Sequence, residues 1–572
     1  MKCFVVLLGA LALGGFWTPT ATAEPLAAMS ARSAFAKNAY LDLMERAVGA
    51  YSAERAAEFT DRNERDGVRE HGFPRLTANL GILISHGRLA SRMDEFKRMM
   101  DICCRDVQRK MAKGTGGGND FSVKELVFLL DELVRAKIFP KDVTDAWRAR
   151  ISGAVAEQIY TSQPKLGDKT SHNWCVFGAA SEQARLRYGM GGSAAFVDRY
   201  VADQLRFFDE NGMYKDPGQP MVYDFVTRLQ FASVLSCGYD GASRARLEEL
   251  MDKSALPTLK MQSVSGEIPF GGRSNQFLHN ETFYAALCEW YAARCRARGE
   301  LALARRFRAA AARAVRSLDY WLKRPDVRHV KNRYPSETGY GCEGYAYFDK
   351  YMVTLGSWAY LAYRFADDSI EPAVEPEPDT TFVMSDSFHR VTMNVGDYTA
   401  EFDWDAQKGY DANGLGRLQR RGAPTVLGLA APFPTKPHYR LDVTNDQPLA
   451  IGPWGWKGGK PVSVRDGEIV FRHGKSLWTS RLTPDGLQMT LAGKGPQTLS
   501  IPVFRFDGER EAEMSCDDKS ITVSFGGWRL VCRTDGAIAD SGKIYGNRNG
   551  HYRRFDLQGL DSVSVQILLE NR

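Results

Sequence analysis

Residues 367–380 read DDSIEPAVEPEPDT, and the period of the chain changes across them. Prolines at 372, 376 and 378 interrupt any helix or paired inner strand, and the acids around them keep the segment solvated. On its N-terminal side, LDLMERAVGAYSAERAAEF (41–59), SVKELVFLLDELVRAKIF (122–139), DAWRARISGAVAEQIY (145–160) and LARRFRAAAARAVRSLDYWLKR (303–324) repeat apolar residues at helical steps. On its C-terminal side, SFHRVTMNV (387–395), YTAEFDW (398–404), EIVFRHG (468–474), LQMTLAG (487–493), TLSIPVFRF (498–506) and SVSVQILLE (562–570) alternate with the period of a strand. The expectation is a helical domain over 24–370, a linker at 371–380 and an antiparallel β-sandwich over 381–572. Many helical hairpins in one domain close most readily into an (α/α) toroid, whose helix ends surround a cleft. No fixed-period repeat of solenoid length is visible.

The opening segment MKCFVVLLGALALGGFWTPTATA has one charge at Lys2, a short apolar run, and the small-residue site Ala21-Thr22-Ala23. It reads as a signal peptide over 1–23, with a periplasmic or secreted mature protein and no membrane anchor. The formal charge is +6, or +5 without Lys2, and Lys and Arg are dispersed among acids, so nucleic acid is excluded as a partner class. Beyond Cys3 the cysteines are Cys103, Cys104, Cys175, Cys237, Cys288, Cys295, Cys342, Cys516 and Cys532, an odd set without a CxxC pair. That spacing describes neither a disulfide scaffold nor a zinc ribbon. No cofactor is implied. No EF-type calcium loop is present, although a divalent metal held by scattered ligands would leave no such signature. A homo-oligomer is compatible with the composition.

Polar groups gather just before helices. GGRSNQFLHNE at 271–281 sets Arg273, Asn275, Asn280 and Glu281 around His279, ahead of an apolar helix. With that helix starting near Ser274, Asn275 and His279 share a face, as do Gln276 and Asn280. The bland reading is a polar helix start, with Ser and Asn as caps. SHNWCVFG at 171–178 contributes His172, Asn173 and Trp174; VYDF at 222–225 contributes Tyr223; and NRYPSETGYGCEGYAYFDKY at 332–351 contributes Glu337, Tyr340, Glu343 and Tyr345. His71, Arg75, Asn119 and Asp120 are weaker candidates on two earlier helix starts.

His, Asn, Arg and Tyr dominate these clusters, and paired carboxylates are less prominent. That set suits β-elimination on a uronate. The reaction needs hydrogen-bond donors on the carboxylate, a base for the C5 proton and an acid for the leaving oxygen. The alternatives are a glucuronidase-type glycoside hydrolase, which needs two carboxyl groups at a set separation, and a non-catalytic glycan binder. In each case the partner is an acidic polysaccharide or oligosaccharide.

The order of parts, with HNW at 172–174, VYDF at 222–225, GGRSNQFLHNE at 271–281 and the Tyr-rich loop at 334–347, resembles the exported bacterial toroidal polysaccharide lyases. The resemblance lies near rhamnosyl-glucuronate lyases and related β-glucuronidase-type hydrolases. It implies an elimination on a glucuronate glycan. Asn173 and Arg273 would hold the carboxylate, His279 or His172 would be the base, and Tyr223 or Tyr340 the acid. Asn275, Trp174, Asn280, Glu281, Glu337, Glu343 and Tyr345 would contact substrate.

Overall fold

The computed structural model describes residues 35–107, 118–160, 172–218, 221–324, 326–335, 343–407, 410–428 and 450–572. The expected signal peptide, Tyr340 and Glu337 lie outside them, and so does the His172 side chain. The described residues form one compact unit.

Six of the described helices form a closed ring. Gly72–Ser85 packs on Gly118–Ala136, and the contacts continue through His172–Arg187, Met221–Ser236, His279–Ala297 and Phe348–Phe365 back to Gly72–Ser85. Their sequences explain the inner position. Residues 72–84 and 279–292 are buried on every side, so these helices cannot lie at a surface. Outside the ring, Asn38–Gly49, Met93–Asp106, Lys141–Ser152, Ala194–Gln204, Arg244–Lys253 and Leu301–Ser317 each back an inner helix. These are amphipathic. In Leu301–Ser317 the buried Ala304, Phe307, Arg308, Ala311 and Val315 recur at three- and four-residue steps, while Leu301, Ala302, Arg305 and Arg316 are exposed. The expected (α/α) toroid is therefore present.

The last helix ends at Phe365 and the first strand begins at Thr380. Between them, Glu377 pairs with Arg306 at 2.7 Å and fastens the Pro-rich segment to the outer helix. The strands form two antiparallel sheets. One holds Thr380–Val383, Arg390–Val395, Tyr398–Asp403 and Gly414–Arg420 in chain order. The larger sheet is built on Gly486–Phe506 paired with Gly550–Asn571. The sheets meet through Phe402, whose ring lies 5.9 Å from Phe471 and 5.8 Å from Trp478, making the expected sandwich.

One expectation differs. LQMTLAG and TLSIPVFRF, read as two strands, are one strand of 21 residues. The intervening KGPQ does not turn the chain; it rides over a bulge, where the Gly495 N–H donates to Asp561 at 2.6 Å. DAWRARISGAVAEQIY, read as one helix, breaks after Ser152 and resumes at Ala156–Ile159.

The ring closes where Gly72 meets the start of Phe348–Phe365. Alanine normally favours a helix over glycine by about 1 kcal/mol. Here an added Cβ would lie 2.3 Å from the Asp349 backbone oxygen, so the sign reverses. Gly72→Ala should cost about 1–3 kcal/mol of stability, read from urea unfolding. An unchanged midpoint would mean that the two helix starts are free to separate.

Candidate functional site

The six inner helices present the same end to one cleft. Its lining includes His71 and Arg75 at the first helix start, Phe121 at the second, and Asn173, Trp174 and Phe177 at the third. Tyr223 and Val226 line it from the fourth, His279 and Phe283 from the fifth, and Lys350, Tyr351 and Thr354 from the sixth. The cleft measures about 400 Å³, room for a short saccharide segment. Each helix N-terminus carries unpaired N–H groups and roughly half a positive charge. The starts of Gly72–Ser85, His279–Ala297 and Phe348–Phe365 have no N-cap side chain bonded to their first-turn N–H groups. Convergent, uncapped N-termini favour an anion in the cleft.

The GGRSNQFLHNE segment folds differently from the expectation. The helix starts at His279, and 272–276 form a turn with Ser274 at φ +59° and Gln276 at φ +66°. Left-handed backbone at two non-glycine residues ends any helical register, so Asn275 and His279 do not share a stripe. The turn projects Arg273 and Ser274 into the cleft and buries Asn275. Asn275 Nδ2 donates to the Pro269 carbonyl at 3.0 Å, and its side-chain oxygen accepts from Gln276. Asn280 is buried too, with Nδ2 donating to the Ser274 carbonyl at 3.2 Å; it braces the turn and caps nothing. Glu281 points away from the cleft and accepts from Lys331 at 2.7 Å. Burial raises its carboxyl above the ordinary range, and Lys331 offsets only part of that. Asn275, Asn280 and Glu281 are therefore removed from the expected substrate contacts.

The cleft side of the turn is a linked set. The Arg273 guanidinium lies 4.2 Å over the Tyr223 ring and donates to Asp216 at 2.6 Å. Its Nε is buried without a partner. Asp216 also accepts from the Asn173 backbone N–H at 3.0 Å and from Asn173 Nδ2 at 2.8 Å. Because a carboxylate only accepts, that contact fixes which end of the Asn173 amide faces it. One buried Asp thus orients both residues expected to hold a carboxylate. It directly precedes Pro217 and Gly218 in a loop, with nothing local to mark it. The Tyr223 and Tyr345 hydroxyls meet Ser274 Oγ at 3.0 and 2.7 Å. Burial raises the Tyr223 phenol above its ordinary range, partly offset by Arg273, so it keeps its proton near neutrality. Glu343 contacts no cleft surface. It accepts from the Ser274 N–H at 2.9 Å and from Arg548 of the larger sheet at 3.1 Å, holding the turn.

His279 lines the cleft, 5% exposed, with Nδ1 unpartnered and its ring stacked on Phe277. Burial holds its imidazole far below the ordinary range, with Arg75 adding to the effect, so it is neutral near pH ~7. Arg75 itself is spent on Glu125, at 3.1 Å. Asn119 Nδ2 donates to the Val107 carbonyl at 3.4 Å, and neither it nor Asp120 lines the cleft. Among the described residues, no Asp or Glu lines the cleft and no His, Cys, Asp and Glu cluster could hold a metal. Cys103, Cys104, Cys175, Cys237, Cys288, Cys295 and Cys532 are buried, and Cys516 is exposed.

No protein-family model matches the chain, and no curated protein does. Among solved structures, the Streptomyces coelicolor A3 chondroitin AC lyase in complex with chondroitin sulphate is similar at TM-score 0.48 and 11% identity, over 93% of this chain and 83% of that one. A chondroitinase AC lyase solved in oligosaccharide complexes gives 0.39 and 10%, over 92% and 83%. A glycosyl hydrolase family 88 protein from Bacteroides vulgatus gives 0.34 and 10%, over 57% and 99%. The chemistry of the cleft rests on its own residues.

Three buried histidines at or beside the cleft make stability depend on pH. Burial keeps His71, His279 and His329 below the ordinary range, His329 at about 3. The unfolded chain takes up these protons near pH ~6.5 and the folded chain does not. Stability should therefore fall as pH drops below ~6.5, approaching about 1.4 kcal/mol per pH unit for each histidine. Urea unfolding at pH steps from ~7.5 to ~5.5 reads this directly. A flat profile would place the imidazoles in water.

Proposed function

We propose that the protein is a polysaccharide lyase that cleaves a uronate-containing glycan by β-elimination. The observation carrying this reading is the cleft lining: a neutral imidazole, a protonated phenol and an Arg–Asn pair, with no carboxyl group among its described residues. Hydrolysis by the usual route requires two carboxyl groups flanking the scissile bond. Elimination requires donors for one carboxylate, a base and an acid.

In the proposed scheme, Arg273 and Asn173 take the uronate carboxylate. The unpartnered Arg273 Nε and the converging helix N-termini stabilise the charge that moves onto that carboxylate as C5 loses its proton. His279 accepts the C5 proton. The C5–H electron pair forms the C4–C5 double bond as the bond from C4 to the glycosidic oxygen breaks. Tyr223 donates its proton to that oxygen, and Ser274 and Tyr345 orient the phenol through their shared hydrogen bonds. Trp174 offers a ring face for a sugar. Glucuronate is the uronate proposed, because the GGRSNQFLHNE element that carries Arg273 and His279 is the one resembling glucuronate-directed enzymes. The leader at 1–23 supports export to the periplasm or beyond.

A screen of uronate polysaccharides and capped oligosaccharides with ultraviolet and mass detection tests the reading. Elimination gives an unsaturated product lighter by one water than the hydrolytic one. Appearance of the hydrated product alone would replace lyase by hydrolase. His279→Ala and Tyr223→Phe should each lower kcat by about 100-fold or more, the usual scale for losing a general acid or base. Full turnover in either variant removes that residue from the scheme. Asp216→Asn should raise KM more than it lowers kcat, since the residue orients the carboxylate clamp without touching the reacting atoms.

A further inference from the structure

Charge pairing across the cleft is uneven. Arg273 is paired with Asp216, and Arg75 with Glu125. Lys350, in the first turn of Phe348–Phe365, also lines the cleft, yet none of the described residues forms an ion pair or hydrogen bond with its ammonium. The nearest influence of opposite sign comes from Glu70, whose carboxylate already accepts from the Tyr347 hydroxyl. Half-burial in that position works against the ammonium, and Glu70 offsets only part of that, with Arg75 adding to the penalty.

His71 stands beside it. The start of Gly72–Ser85 approaches so closely that a Cβ on Gly72 would lie 3.1 Å from Lys350 Cα. His71 is 4% exposed, lines the cleft, and has Nδ1 buried without a hydrogen-bond partner. Both helices start without a side-chain cap. The ring order sets the direction. Asn173 and Tyr223 stand on the third and fourth inner helices, whereas His71 and Lys350 stand on the first and sixth, across the cleft.

We propose that Lys350 and His71 form a second anion subsite, across the cleft from the Arg273–Asn173 clamp, that takes a carboxylate or sulfate ester on a sugar neighbouring the reacting uronate. The ammonium supplies the charge and the imidazole a directional hydrogen bond. The uncapped helix starts add their N–H groups. The identity of the chain spanning the cleft rests on the lyase reading, but anion binding at Lys350 does not.

The test has two arms on the full-length protein. In the first, thermal unfolding is followed with sodium sulfate or sodium glucuronate at ionic strength matched by sodium chloride. The wild-type midpoint should rise, Lys350→Gln should lose at least half of that rise, and Lys350→Arg should keep it. Equal rises in the wild type and Lys350→Gln overturn the subsite. The anion whose rise depends more on Lys350 identifies the group as sulfate ester or carboxylate. In the second arm, uronate oligosaccharides with and without a second acidic group are compared. Lys350→Gln should raise KM about tenfold more on the doubly charged kind than on the singly charged kind, the scale of one charge-assisted hydrogen bond. Equal losses on both kinds overturn the proposal. Should no uronate glycan be cleaved while Lys350-dependent anion binding persists, the lyase reading falls and the subsite stands.

Discussion

The site depends on a dry ionic seam between the helical ring and the first sheet. Arg417, on a strand, pairs with Glu401 at 2.5 Å and with Glu267 at 3.0 Å. Glu267 and Glu281 both lie against Lys331, and all five side chains are at most 2% exposed. Removing one partner from such a network strands a buried charge, at a cost of about 3–5 kcal/mol. The seam brackets residues 267–281, and further contacts pin the turn between its ends. Asp411 accepts from the Gly272 N–H at 2.7 Å, and Arg548 donates to the Asn275 carbonyl at 2.9 Å. Gly271, at φ +80°, is needed because a Cβ there would lie 2.5 Å from the Asp411 carboxylate. The sandwich thus fixes the one turn that delivers Arg273 and Ser274 to a cleft made by helices.

Inside the cleft, the balance of charge matters more than the number of charged residues. Asp216 neutralises Arg273 while aiming it, so the pair acts as an oriented donor set more than as a free cation. The positive potential comes from helix N-termini that no side chain caps and from Lys350. Burial acts in opposite directions on the two proton carriers. It makes His279 a neutral acceptor and keeps Tyr223 a protonated donor, the division of labour that an elimination uses.

The sequence carried much of the site because polar residues crowded before apolar helices have few other uses. Asn173, Trp174, Tyr223, Arg273, His279 and Tyr345 stood out in that way, and the fold brings all six to the cleft. Asn275, Asn280 and Glu281 stood out for the same reason and were misplaced. Locally, 274–281 can read as one helix; the left-handed backbone at Ser274 and Gln276 is imposed by partners hundreds of residues away, including Asn549, which donates to Gln276 at 3.0 Å. Asp216 and Lys350 were not legible at all. An acid in a Pro-Gly loop and a lysine in a first helical turn are ordinary residues until their neighbours are known.

By itself the sequence determined the change from helices to strands, the toroid of paired helices and the residue types of the cleft. Hydrophobic period and proline placement are local properties that tertiary contacts rarely override. Only the tertiary structure decided which polar residues face the cleft and which brace it. It also decided which cations are already paired and which remain to meet a ligand. Those outcomes depend on distances between segments far apart in the chain, and a side chain's chemistry follows its burial and its partners.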